Sequence, residues 1–76
     1  MKKVTSINEL KQLNGMFSDF FILLNFGLKS SKTISFDGEF FYVFNDIDGS
    51  ETALTETELR NSIIGEAISK GSFYQY

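Results

Sequence analysis

The dipeptide Asp37-Gly38 divides two runs dense in β-branched and aromatic residues, Lys32 to Phe36 before it and Phe40 to Asn45 after it. Aspartate followed by glycine supplies the positive φ angles of a tight type I′ turn. Between such runs it is the strongest short-range signal for a β-hairpin. The first arm alternates, with Ile34 and Phe36 on one side and Thr33 and Ser35 on the other. The second arm does not: Phe40, Tyr42 and Phe44 share one face while Phe41 and Val43 share the other. Both faces of this arm therefore carry large apolar side chains.

The flanking segments read as additions to that hairpin. Ser6 to Glu9 is a capping box, Ile7, Leu10 and Leu13 repeat at helical spacing, and Asn14-Gly15 supplies a left-handed stop. A helix of about two turns is not stable alone in water, so its apolar stripe must dock on a sheet. Asp19 to Phe26 is apolar on both parities and rich in Phe, which predicts a central strand with both faces covered. Gly27 to Ser30 then connects to the hairpin. Asp48-Gly49 predicts a second turn, and Glu51 to Leu54 a short fourth strand. Thr55 to Glu58 forms another capping box, with Leu54 and Leu59 at the staple positions. Helical spacing runs on to Lys70, with Gly71 as the stop; the segment reads as one helix, or as two if it breaks at Asn61-Ser62 with Ser62 capping the second. The tail Ser72 to Tyr76 is aromatic enough to pack back on the body.

These elements make one small α+β domain spanning residues 1–76. Its expected form is two layers: an antiparallel meander of three to four strands, with a short N-terminal helix and one or two C-terminal helices on one face. A chain of 76 residues buries only about 60% of its unfolded surface, so its core must be dense. Nine Phe and three Tyr supply that density.

Composition narrows the chemistry. There is no Cys and no His, which removes the thiolate, the commonest general base and the commonest metal ligand. We read the chain as a non-enzyme without a cofactor or metal. Lack of cysteine fits a reducing cytoplasm, no apolar run is long enough to cross a bilayer, and no secretory segment follows Met1-Lys2-Lys3. Asp46-Ile47-Asp48-Gly49 has the look of a calcium loop. However, its first and twelfth positions would be Phe44 and Thr55, which cannot serve as the acidic ligands required there. An Asx turn is the simpler reading.

Two patches remain as candidate sites. Lys29, Ser30, Ser31 and Lys32 concentrate cations and hydroxyls where a loop enters a strand, and with free backbone amides they would suit an anion. A nucleic acid or nucleotide bound there is the alternative functional reading. Against it, the net charge is −3 and most carboxylates follow residue 36, and an acidic chain repels a phosphate backbone. The second patch is apolar. One helical layer hides only one sheet face, so some of Phe21, Leu23, Phe41 and Val43, with Phe73, Tyr74 and Tyr76 of the tail, form a candidate interface. Each such side chain gains about 1.5–3 kcal/mol on burial. The cover would be the tail itself, a second copy of the chain, or a protein partner.

Several stretches together resemble a family of small uncharacterised proteins carried by bacterial phages, plasmids and other mobile elements. They are Asp19 to Asn25, Gly27 to Lys32, the Phe36-Asp37-Gly38 turn, Asn45 to Ser50, Leu54 to Leu59 and Ile64 to Gly71. The last helix departs from the family's Ser-Asn-Ile-Gly, reading Ser62-Ile63-Ile64-Gly65. The resemblance implies a setting and no assigned activity. With the composition, it leads to the expectation of a protein-binding module from a mobile element, interference with a host defence or regulatory protein being one form.

Overall fold

The structure is a computed structural model. It describes residues 1–45 and 48–76, and for Phe26 the backbone alone. Among these residues the elements in chain order are β1 (Lys2–Lys3), α1 (Ile7–Leu10) running into a 3-10 turn (Lys11–Leu13), and β2 (Ser18–Leu23). A second 3-10 turn (Asn25–Gly27), β3 (Lys29–Phe36), β4 (Phe41–Asn45) and β5 (Glu51–Leu54) follow. The chain closes with α2 (Glu56–Arg60), α3 (Ile63–Lys70) and β6 (Phe73–Gln75). The α+β class is as expected, but the sheet is wider than a three- to four-stranded meander. Its order is β1-β6-β2-β3-β4-β5, with every neighbouring pair antiparallel. The meander β2–β5 is present. The tail does not simply pack back: it enters the sheet as an interior strand between the N-terminal strand and β2.

The local signals account for the helices. Glu9 accepts from the Thr5 and Ser6 amides, Asn14 takes the left-handed conformation at φ +51°, and Leu10 anchors the turn in the core. Thr55 Oγ1 accepts from the Glu58 amide at 3.2 Å, and Glu58 returns the contact to the Thr55 amide at 2.9 Å. The C-terminal helical segment is two helices. Ser62 ends the first by donating to the Leu59 carbonyl and starts the second by accepting from the Ile64 amide. Gly65 lets the two helices meet closely, because a Cβ there would lie 2.1 Å from the Arg60 carbonyl oxygen. Gly71, at φ +72°, stops α3, and Ser72 donates back to the Ala67 carbonyl.

The hairpin turn differs from the type I′ expectation. Phe36 pairs with Phe41, so residues 37–40 form the connection, and positive φ belongs to Gly38 (+103°) but not to Asp37. Asp37 flanks the turn and ties it with its side chain: Oδ1 accepts from the Glu39 and Phe40 amides, both at 2.8 Å. The strand expected over Asp19 to Phe26 ends at Leu23. There the chain turns through Asn25–Gly27, with the Leu24 amide donating to the Leu28 carbonyl.

Register decides which face is the core. Directly opposed residues in an antiparallel pair share a face. The pairs Ile22–Phe73, Ile34–Val43 and Phe41–Leu54 therefore put Phe20, Ile22, Ile34, Phe41, Val43 and Phe73 on one side. Leu10, Leu59, Ile64 and Ala67 of the helices, with Val4, pack on that side to complete the core. The other side of the sheet carries no helix among the described residues.

Candidate functional site

The face left open is built by the opposite parity of the same strands. From β2 come Asp19, Phe21 and Leu23; from β3, Lys29, Ser31 and Thr33; from β4, Tyr42 and Phe44; and from β6, Tyr74. Phe17, just before β2, and Tyr76, just after β6, extend it. The Tyr76 amide donates to the Asp19 carbonyl and continues the β6–β2 ladder by one residue.

Two aromatic groups form on this face. In the first, Phe21 is only 2% exposed although no helix covers it. Tyr74 stacks on its ring at 5.3 Å between centroids, Tyr76 tilts against it at 4.8 Å, and Lys29 Nζ lies 4.8 Å from its centroid. A cation over a ring face is attracted by the ring quadrupole, and the lysine stem adds apolar cover. Tyr76 is pinned further by a 3.3 Å hydrogen bond between its hydroxyl and Ser31 Oγ, yet it remains 58% exposed. In the second group, Phe17 meets Phe44 edge to face at 5.7 Å and is 55% exposed. It borders a shallow hollow lined by Thr33, Asn45 and Gly49. Between the groups Thr33 Oγ1 donates to Asp19 Oδ1 at 2.9 Å.

Further charged groups flank the rings. Beyond Phe44, Tyr42 donates its hydroxyl to Asp37 Oδ2 at 2.7 Å. The Phe40 amide, then the Tyr42 hydroxyl and the Glu39 amide, hold the Asp37 carboxyl below the ordinary aspartate range. The same bond, with Asp37, Glu51 and Glu39 charges nearby, pushes the Tyr42 hydroxyl up. At the opposite end Lys29 pairs across from Leu23, while Lys3, opposite Tyr74 on the edge strand β1, lies level with the first aromatic group.

The candidate interface residues divide. Phe21, Leu23, Tyr74 and Tyr76 lie on or at the rim of the open face. Phe41, Val43 and Phe73 are buried in the core under the helices and present nothing to a partner. The strands are shared, but the parities that face outward are not those the sequence grouped together. Phe17 and Phe44, absent from that set, belong to the open face. The signal for them is parity: Phe17 is two and four residues before Asp19 and Phe21, and Phe44 alternates with Val43.

The Lys29-to-Lys32 stretch is not a loop. It is the first half of β3, paired along its length with Phe20 to Leu23. Alternation sends Lys29 and Ser31 to the open face and Ser30 and Lys32 to the helix side, so the four side chains do not converge on one anion. Of the calcium-like stretch, Asp46 and Ile47 lie outside the described residues. Asp48 Oδ1 accepts from the Ser50 amide at 2.9 Å, as an Asx turn requires. The Ser50 hydroxyl and amide hold its carboxyl low, and Lys32 adds a smaller contribution. Among the described residues no helix is long and apolar enough to cross a membrane.

Comparison with protein-family models, with curated proteins and with solved structures returned no match.

Proposed function

We propose that this protein is a non-enzymatic interaction module that binds a protein partner through the open face of its sheet. The observation that carries the reading is the exposure of Phe17 and Tyr76 at the two ends of an aromatic strip that no helix covers. Exposed apolar groups rimmed by polar side chains are the ordinary form of a partner surface, and aromatic rings supply most of the anchoring energy at such surfaces. A bacterial mobile element and a cytoplasmic location, with a host defence or regulatory protein as target, are part of this proposal. They rest on the sequence resemblance and the lack of cysteine.

A second reading, a nucleic-acid or nucleotide binder, draws on one observation: Lys29 Nζ over the Phe21 ring and 6.0 Å from that of Tyr76. Base-stacking platforms join rings and cations in this way. The acidic groups at the Tyr42 end oppose a phosphate backbone, so the protein partner is preferred.

The test is affinity capture with mass spectrometry, with and without nuclease, using the native chain and a Phe17→Ser/Tyr76→Ser variant. A captured protein that survives nuclease and is lost with the variant is expected. Capture that disappears with nuclease, or that ignores the variant, would sink the reading.

A further inference from the structure

We propose that the protein partner places an arginine side chain over Asp19, between the two aromatic groups of the open face. This rests on that face being a protein-binding surface and names the chemistry the partner brings to it. Four neighbouring strands, β6, β2, β3 and β4, set the position. Asp19 pairs with Thr33, and Thr33 with Phe44. On the other side Tyr76 lies opposite Asp19, its amide donating to the Asp19 carbonyl. Phe17 stands two residues before Asp19 on the same face. The Asp19–Thr33 pair is therefore the floor of a trough. Tyr76, against Phe21 and hydrogen-bonded to Ser31, forms one wall. Phe17 and Phe44, in edge-to-face contact, form the other.

The floor is charged and incompletely paired. Asp19 is exposed, and its Oδ1 accepts from Thr33 Oγ1. Among the described residues its second carboxylate oxygen has no donor, and no cation forms an ion pair with it. Lys29, on the same face, is held over the Phe21 ring instead. A partner that covers the exposed rings of both Phe17 and Tyr76 must also cover Asp19, which lies between them. Burying a carboxylate without a counter-charge is strongly unfavourable, so the partner must bring a cation to this point. Arginine fits the trough better than lysine. Its guanidinium is flat, is more weakly hydrated, and donates to a carboxylate oxygen while its plane lies against an aromatic ring.

Side-chain NMR of the full chain, titrated with the peptide acetyl-Gly-Arg-Gly-amide, tests this. Saturable shifts are expected at the Asp19 carboxyl and at the Phe17 and Tyr76 rings. Asp19→Asn keeps the acceptor for Thr33 and removes the charge, and should bind the peptide at least about tenfold more weakly. The native chain should show the same loss toward the peptide with citrulline in place of arginine, which has the shape without the charge. Absence of a shift at Asp19, shifts centred on Asp37 and Glu39, or equal binding of the citrulline peptide would each overturn the proposal. Equal binding of the corresponding lysine peptide would overturn the choice of arginine. The affinity capture above separates this from the parent reading. A captured protein lost with Phe17→Ser/Tyr76→Ser but retained by Asp19→Asn overturns the arginine and keeps the protein-binding face. One retained by the ring variant removes that face as well.

Discussion

The ring of Tyr74 lies stacked on that of Phe21, with centroids 5.3 Å apart and planes 14° from parallel. One residue earlier Phe73 stacks on Phe20 at 5.3 Å and 6°, on the opposite face of the same two strands. Strand β6 therefore grips β2 from both sides while its backbone also pairs with β1. A Phe73→Ala variant removes a fully buried ring and should lose about 3–5 kcal/mol, whereas Tyr76→Ala, at an exposed ring, should lose less than about 1 kcal/mol. Denaturant unfolding of both variants checks this, and equal losses would contradict the placement of the tail inside the sheet. A chain ending at Gly71 should show no cooperative unfolding transition, because its removal opens the sheet between β1 and β2.

Gly65 gives a prediction whose sign separates two effects. By helix propensity alone Gly65→Ala would stabilise an interior helical position by about 1 kcal/mol. The added methyl would meet the Arg60 carbonyl at 2.1 Å, so α2 and α3 must move apart. The expected outcome is a loss of about 3 kcal/mol, read by thermal and denaturant unfolding. A gain in stability would show that the approach of the two helices is looser than described.

The helix start at Thr55 has both halves of its capping box in place. Thr55→Ala should cost about 0.5–2 kcal/mol, and Thr55→Ser much less. The measurement is the difference between the two variants, which isolates the hydroxyl.

Asp37 predicts a pH dependence. Its carboxyl is held below the ordinary range by the Phe40 amide first, then by Tyr42 and Glu39. A group whose folded pKa is depressed contributes stability that is fully present above its unfolded value, about 3.9. That contribution is lost as the pH falls through the lower, folded value. Tyr42→Phe removes one of the donors, so the Asp37 carboxyl should titrate at higher pH in that variant, as followed by side-chain NMR. An unchanged titration would mean that the Tyr42 bond does not form in solution.

What could be read from the sequence was local. The Thr55 box, the Gly71 stop and the Ser62 cap are each encoded within four residues, and each lies where its chemistry puts it. The meander β2–β5 followed from short turns. Register was not legible. Phe41 and Phe21 both sit in strands with apolar side chains on both parities, and only the pairing of Ile34 with Val43 and of Ile22 with Phe73 puts one in the core and the other on the open face. Lys29 to Lys32 had the composition of a loop, but pairing with the strong strand Phe20 to Leu23 overrides it. At Asp37-Gly38 the turn-forming residues were evident and their places in the turn were not, because Asp37 acts through its side chain. Strands β1 and β6 are too short to show a period, and they exist because each finds a partner far along the chain.

That distant pairing bears on the order of events as the chain is made. Residues 2–3 are synthesised before the other strands of the sheet, yet they have no neighbour in it until residues 73–75 emerge. Until then the nascent chain holds a meander whose β2 edge is unpaired and whose Phe20 and Phe21 lack their stacking partners. Contacts of such long sequence separation form slowly, and an unpaired apolar strand edge is a site of aggregation while it waits. Of the six strands described, the one made last is thus the one that closes the β2 edge, and this sheet is completed only after residues 73–75 have been translated.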